Sequence, residues 1–196
     1  MTELFHLHRH DKNQSGQFTA GTKFQTFEGL NRFWQVFATQ SNYIVFDDNI
    51  KRWPVEYSRT SASSKQIHPI GLEYLANSLK EAGMFLRELI FEEVRKERFP
   101  DKPSRRSCIW LMEEQSVSFW RHFLDDRTSA YDLIKVKCDG KIHKGNQSFL
   151  DNEIVSFNEF AGSAEHYWKG DLTEGTMNNE MLFFGEIEVL EVKRSF

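Results

Sequence analysis

The stretch Pro103-Ser104-Arg105-Arg106-Ser107-Cys108-Ile109-Trp110 decides the fold of this chain. Pro100 precedes this stretch and Pro103 begins it. Because proline restricts both its own φ and the conformation of the residue before it, the two prolines predict extended backbone leading into the stretch. The apolar run 107–112 then predicts a short strand, and helical periodicity follows over 113–123. The stretch therefore predicts a loop, a strand and a helix in succession.

One segment on each side completes the pattern. Phe5-His6-Leu7-His8-Arg9 alternates apolar and polar residues, which predicts a strand with His6 and His8 on one face. Near the other end, Glu180-Met181-Leu182-Phe183-Phe184 places a glutamate at the start of an apolar strand. With its continuation over 186–192, this segment predicts either two short strands separated at Gly185 or one strand with a bulge there.

Helical spacing dominates much of the chain between these segments. The run 24–37 predicts an amphipathic helix broken near Gly29, and 70–99 predicts one long helix or two helices meeting at Gly83. The acid-then-base order of Glu88, Glu92 and Glu93 with three later cations is typical of a solvated helix end.

The remaining segments are shorter. We expect a strand over 131–138 closed by an Asp139-Gly140 turn, a return strand over 141–143 and a helix over 157–168. A short strand is predicted at 43–46 and a Ser-rich loop at 59–65. About six strands and three or four helices indicate an α+β domain.

Length and composition limit the class of protein. The chain has 196 residues, which fits a single domain over 1–196. Its net charge of −4 argues against binding duplex DNA by overall attraction. Cys108 and Cys138 give neither metal nor disulfide spacing, and the seven histidines are scattered, so we expect no metal and a reducing, cytoplasmic setting. The sequence contains neither a long apolar stretch nor a signal pattern, so we expect no membrane partner.

Taken in order, the three segments resemble the ADP-ribosyltransferase family. The resemblance implies two small twisted β-sheets around an NAD cleft with flanking helices, and a helical insertion around 70–99. It also implies NAD as the substrate, with ADP-ribose moved to a macromolecular acceptor. It covers the two ends and the middle of the chain.

The resemblance assigns roles residue by residue. His6 matches the first-strand histidine that binds NAD, and Glu180 matches the catalytic glutamate, whose carboxylate would hold the ribose 2′-hydroxyl and stabilise an oxocarbenium-like ribose. Arg105 would hold the pyrophosphate bidentately. The other residues that the resemblance places at the cofactor are His8, Arg9, Ser104, Ser107, Trp110, Tyr167 and Trp168. For Tyr167 and Trp168, the end of a core helix capped by Gly170 is the alternative.

Acceptor binding is assigned to Asn178, Asn179 and Arg106. Asn178 stands where family members that modify arginine carry a second glutamate, which speaks against an arginine acceptor. DarT-like members modify nucleic acid, and a basic run would guide a single strand of RNA or DNA, which we slightly favour over protein. The run comprises Lys102, Arg105, Arg106, Lys135, Lys137, Lys141 and Lys144. Family analogy suggests a toxin of a toxin-antitoxin or phage-defence system, with an antitoxin protein as a further partner.

Each assignment has a simpler alternative. The histidines fit an exposed edge strand, the arginines a solvated face, and Glu180 an ordinary strand-edge glutamate. Three other functions stay open: an NAD glycohydrolase if water is the acceptor, a non-enzymatic binding or inhibitor module of the same fold, and a nuclease built on His6, His8 and Glu180.

Overall fold

Strands and helices alternate along the chain of this computed structural model, which describes residues 4–11, 17–26, 29–39, 45–47, 50–52, 69–124, 129–150, 155–172 and 177–194. The described strands are β1 (Leu4–Asp11), β2 (Lys23–Gln25), β3 (Val45–Asp47), β4 (Ile50–Arg52), β5 (Ile109–Glu113), β6 (Ser129–Asn146) and β7 (Asn179–Lys193). The described helices are α1 (Arg32–Thr39), α2 (Pro69–Arg98), α3 (Val117–Phe123) and α4 (Phe157–Lys169). The predicted α+β class is confirmed.

The main sheet closes on itself. Its strands lie in the order β2-β7-β5-β1-β6, and a further pairing joins β6 to β7, so that β7, β5, β1 and β6 form a ring. All these pairings are antiparallel. Strands β3 and β4 form a separate antiparallel pair. The three segments singled out in the sequence thus become neighbours, with β5 between β1 and β7.

Alternation along each strand sends side chains to opposite faces of the ring, and the buried apolar residues pack in three clusters. The inner face of the ring packs Leu4, Leu111, Met181 and Phe183 in one buried cluster. On the outer face, Leu182 packs against α2 and α4, in a cluster with Phe91, Tyr167 and Trp168. Residues 180–183 are therefore all buried, because both faces of β7 are covered there.

Strand β6 is longer than expected, because no turn forms at Asp139-Gly140. It runs unbroken from Ser129 to Asn146 alongside β7, with Gly140 directly opposite Gly185. A Cβ on Gly185 would lie 2.3 Å from the Asp139 carbonyl oxygen, so the two backbones meet closely only because both residues are glycine. The bulge that one alternative placed at Gly185 occurs instead beside Lys135/Val136.

The helices confirm one expectation and differ from another. Helix α2 passes through Gly83 without a break, which confirms the alternative of one long helix, and its C-terminal half belongs to the core through Ile90, Phe91 and Val94. The predicted helix over 24–37 is instead strand β2 followed by α1. Asn31 caps α1 by accepting a hydrogen bond from Trp34 N at 3.1 Å. The predicted loop at 59–65 lies outside the described residues.

Local signals position α4. Ser156 and Glu159 form a reciprocal capping box at its N-terminus. Gly170, at φ 80°, ends the helix in the left-handed conformation. These two ends hold Tyr167 and Trp168 against the outer face of the ring.

Substitution of Gly185 by alanine tests the closure of the ring. We expect Gly185→Ala to lower the free energy of unfolding by about 1–3 kcal/mol, because the added methyl group meets backbone that has no room to move. Urea unfolding followed by circular dichroism measures the change. Gly162→Ala in α4 is the control, since a Cβ there meets nothing within 4 Å. Equal stability of the two variants would contradict this account of the glycine pair.

Candidate functional site

Arg105 is the centre of a buried cluster of charged groups. Its Nε and Nη2 donate to the two carboxylate oxygens of Glu88 at 2.8 Å and 3.1 Å. Its Nη1 donates to Glu180 Oε1, 75 residues along the chain, and to the hydroxyl of Tyr167 at 2.9 Å. One guanidinium group therefore joins α2, α4 and β7.

Helix α2 supplies the carboxylate that the sequence interpretation missed. Glu88 is 0% exposed and Glu92 is 4% exposed, so the prediction of a solvated helix end is wrong for both. Each is buried because it is paired: Glu88 with Arg105 and Arg87, and Glu92 with Arg95. The sequence did contain one indication of this burial: residues 88 and 92 lie one helical turn apart, on the same face of α2 as the apolar Phe91.

Glu180 is buried as well. It is 6% exposed, which corrects the expectation of a solvent-facing carboxylate. Its Oε1 accepts from Arg105 and from the Tyr167 hydroxyl at 2.5 Å. Among the described residues, we find no hydrogen bond to Oε2. The carboxylate is thus fixed at one oxygen.

Gly145 makes room for the tyrosine in this cluster. It pairs with Glu180 across β6 and β7, and a Cβ on Gly145 would lie 2.3 Å from the Tyr167 ring. The ring therefore lies directly on the backbone of β6. The residues around Gly145 in the sequence do not indicate that the ring of Tyr167, 22 residues further along the chain, needs this space.

Burial and pairing set the protonation of the cluster. Burial alone would lower the pKa of Arg105, but Glu180 and Glu88 raise that pKa well above its ordinary value. Burial alone would raise the pKa of Glu88, but Arg105 lowers it overall. Burial and then Glu180 raise the pKa of Tyr167, which keeps its hydroxyl neutral and donating. Burial likewise raises the pKa of Cys108, so its thiol stays protonated.

In this arrangement Arg105 cannot bind a pyrophosphate bidentately, as the sequence interpretation had assigned. The paired edge of the guanidinium that would hold a phosphate already holds Glu88. Arg106, by contrast, is half-buried, with its Cζ 5.1 Å from the centre of the Trp34 ring. The structure therefore separates the two arginines into one buried and one partly open to solvent.

His6 lies on the other face of the sheet from Glu180. It follows Leu4 by two residues and so shares the inner face, whereas Glu180 shares the outer face with Leu182. Its Nδ1 bonds to the Trp110 carbonyl at 2.9 Å, and since that oxygen only accepts, the proton is on Nδ1. Burial lowers the pKa of His6 to about 4, so the ring is neutral near pH 7. The structure does not bring His6 and Glu180 into one cleft.

The other residues of the first strand divide between the two faces. The His6 and His8 rings lie 6.1 Å apart on the same face, as predicted, and the edge of His8 meets Phe18 at 4.9 Å. Arg9 is exposed on the opposite face, and its carbonyl accepts from Arg32 at 3.3 Å.

The middle segment is a turn before it becomes a strand. Ser104 Oγ donates to Glu92 at 2.9 Å, and Ser107 N donates to the Ser104 carbonyl at 3.3 Å, so both serines serve the turn. The strand begins only at Ile109. Trp110 is half-buried, and the Arg105 Cζ lies 5.9 Å from the centre of its ring.

Trp168 and Tyr167 belong to the core end of α4, as in the alternative interpretation. Both are fully buried, and Trp168 Nε1 donates to the Phe91 carbonyl at 2.8 Å. Gly170 caps the helix as predicted. Neither ring is open to stack on a ligand in this structure.

Asn178 and Asn179 lie at the start of β7. Asn179 helps to line a cavity of about 30 Å³ with Glu113, Lys144 and Met181. Lys144 is paired there with Glu113 at 3.0 Å. This volume is below the range usual for small-molecule sites, so the cavity is too small for a dinucleotide as it stands.

The basic run does not form a continuous positive groove. Arg105 is buried, and on β6 Lys135 and Lys137 lie opposite Glu191 and Glu188 of β7. Cross-strand pairs of opposite charge such as these neutralise one another. The run therefore offers less attraction to a phosphate backbone than its sequence indicates.

The described residues contain neither a metal-binding cluster nor a membrane-spanning helix. No cluster of three or more His, Cys, Asp or Glu side chains is placed to hold a metal ion. No helix among these residues combines the length and the apolar character that crossing a membrane requires.

Comparison with known proteins gives a family and no activity. A family model described as "Protein of unknown function (DUF2441)" matches residues 4–194. No curated protein matches the chain. The match covers every strand and helix described above.

A buried histidine beside the cluster predicts how stability changes with pH. His143 is 2% exposed and donates from Nε2 to the Tyr167 carbonyl at 3.0 Å. Burial, and then Lys102, lower its pKa from 6.5 to about 4. Between these values the unfolded chain binds a proton that the folded chain does not, so stability falls as pH is lowered from 6.5 toward 4.

We expect His143→Gln to flatten this dependence by up to about 1.4 kcal/mol per pH unit. Urea unfolding at several pH values between 6.5 and 4.5 measures the slope. Glu88, whose pKa is also lowered, contributes to the slope equally in the wild type and the variant, so the difference between their slopes reports on His143. Ile142→Gln, at an exposed neighbouring position, is the control. An unchanged slope in His143→Gln would show that this histidine is not buried in its neutral form.

Proposed function

The chain belongs to the DUF2441 family, and we propose that it is an NAD-dependent ADP-ribosyltransferase with Glu180 as its catalytic carboxylate. One observation carries the proposal. The three segments that resemble ADP-ribosyltransferases form adjacent strands or lead into them, and Arg105 of the middle segment donates a hydrogen bond to Glu180. The finer fold, an NAD cleft between twisted sheets, is part of the same proposal.

The proposed chemistry uses the carboxylate of Glu180, one oxygen of which is held by hydrogen bonds. In the reaction, the bond between ribose C1′ and nicotinamide breaks, nicotinamide leaves as a neutral molecule, and C1′ bonds to the acceptor, which loses a proton. Arg105 and Tyr167 hold Oε1, so that Oε2 can accept from the ribose 2′-hydroxyl. The ionised carboxylate would then stabilise the positive charge that develops on the ribose.

The proposal assigns other residues differently from the sequence interpretation. Arg105 positions Glu180 instead of gripping pyrophosphate, and His6 supports the Trp110 backbone from the other face. Arg9 and Arg106 carry the accessible positive charge for the phosphates. The acceptor is a macromolecule, with Asn179 near it. A role as a cytoplasmic toxin held by an antitoxin is a further part of this proposal.

Burial of the cluster favours a second candidate, a non-enzymatic binding module. Glu180, Arg105 and Glu88 satisfy one another, and the cavity that Asn179 lines at the start of β7 is too small for NAD. In that case the cluster is structural. For the transferase, the chain that covers Glu180 has to move aside when NAD binds.

Labelled NAD distinguishes the two candidates. The purified chain is incubated with radiolabelled NAD and, separately, with total protein, single-stranded DNA and RNA. We expect label on one of these classes, and Glu180→Gln to reduce the labelling at least 100-fold, because the substitution removes a charge that acts only in the transition state. Free nicotinamide without label on an acceptor would indicate the glycohydrolase. No NAD consumption by the folded chain would contradict the transferase and favour the binding module.

Glu92→Gln is the matched control for this experiment. It too removes a buried, arginine-paired carboxylate, and it lies outside the contacts of Arg105 and Glu180. Breaking either pair is expected to cost about 3–5 kcal/mol of stability, so the assays are run below both melting temperatures. Tyr167→Phe, which removes only the hydroxyl on Oε1, replaces Glu180→Gln if that variant does not fold. Full activity in a folded Glu180→Gln would show that another residue is catalytic.

A further inference from the structure

Helix α2 carries a stripe of apolar side chains that the fold does not cover. Leu72, Leu79 and Leu86 follow one another at intervals of seven residues, with Leu75 and Ala82 between them and Leu89 three residues after the last. The four leucines 72, 79, 86 and 89 are 40–53% exposed. Contiguous exposed apolar surface of this kind marks an interaction site more often than scattered leucines do.

The spacing of the stripe specifies what covers it. Alternating intervals of three and four residues are the seam of a coiled coil, in which each side chain inserts between four residues of a facing helix. Over residues 72–89 the seam is about 27 Å long at 1.5 Å per residue. Its occupant is therefore another α-helix with the same spacing.

The described residues give the N-terminal half of α2 little support. Among the described side chains of residues 72–82, only Ser78 is buried, whereas the core contacts of the helix come from residues 87–94. A helical segment gains most of its stability from packing of its apolar face. The exposed apolar face of this half is therefore open to a partner.

We propose that α2 pairs with α2 of a second copy of this chain, through the stripe Leu72, Leu75, Leu79, Ala82, Leu86 and Leu89. Among the described helices, α2 is the one on which three-and-four spacing is exposed, since Phe160, Ala164 and Tyr167, which have this spacing in α4, are buried. A self-complementary stripe of this kind gives a symmetric dimer. The Arg105 cluster lies on the opposite side of the helix, through Glu88, and stays within each copy.

The oligomeric state tests the proposal. Sedimentation velocity of the full chain over 1–100 µM should show a dimer that dissociates on dilution, and Leu79→Glu should be a monomer throughout, because it places charges inside the seam. Leu190→Glu is the control: Leu190 is 45% exposed, like Leu86, but lies on β7. It should leave the dimer intact.

Three results would overturn the proposal: a wild-type monomer at 100 µM, a dimer that survives Leu79→Glu, or a dimer lost equally in Leu190→Glu. Circular dichroism checks that each variant is folded, and Leu72→Glu replaces Leu79→Glu if the latter is not. Hydrogen exchange adds a local readout, since protection of residues 69–89 should rise with protein concentration. The outcome does not depend on NAD, so it is independent of the proposed activity.

Discussion

The paired guanidinium of Arg105 is the interaction on which the rest of the structure depends. A buried charge is tolerated only when it is neutralised and hydrogen-bonded, and Arg105 meets that condition with two carboxylates and a hydroxyl drawn from three elements. The turn that carries it also binds α1, because Asn31 donates to the Arg105 carbonyl at 2.7 Å. Removing Arg105 would leave the buried carboxylate of Glu180 without its cation.

The Arg105 cluster fixes the relative orientation of α2, α4 and β7 more narrowly than an apolar core would. A hydrophobic contact between α2, α4 and β7 would permit many orientations, whereas the bidentate pair with Glu88 fixes the plane of the guanidinium. That plane in turn fixes one oxygen of Glu180. A carboxylate held in this way is preorganised to stabilise a developing cation, which is why a structural cluster and a catalytic one can share the same residues.

The sequence indicated the three segments and their order, because strands with alternating or apolar runs have strong local signals, as in β1 and β7. It did not indicate which face each residue occupies relative to the others. His6 and Glu180 lie on opposite faces because of the register between β1, β5 and β7, which is a property of three separated segments. The turn expected at Gly140 failed for a similar reason, since that glycine is needed by Gly185 and not by a local bend. Glu88 was missed because a charged residue in the charged C-terminal part of a helix looks solvated until its buried partner is known.

Hydrogen exchange with and without NAD tests the central claim, that the strands around Arg105 and Glu180 form one nucleotide site. The account predicts that saturating NAD slows exchange in peptides covering residues 103–113 and 179–184 together, while peptides from β3 and β4 stay unchanged. Protection confined to regions away from these two segments, or no change at any NAD concentration, would contradict it.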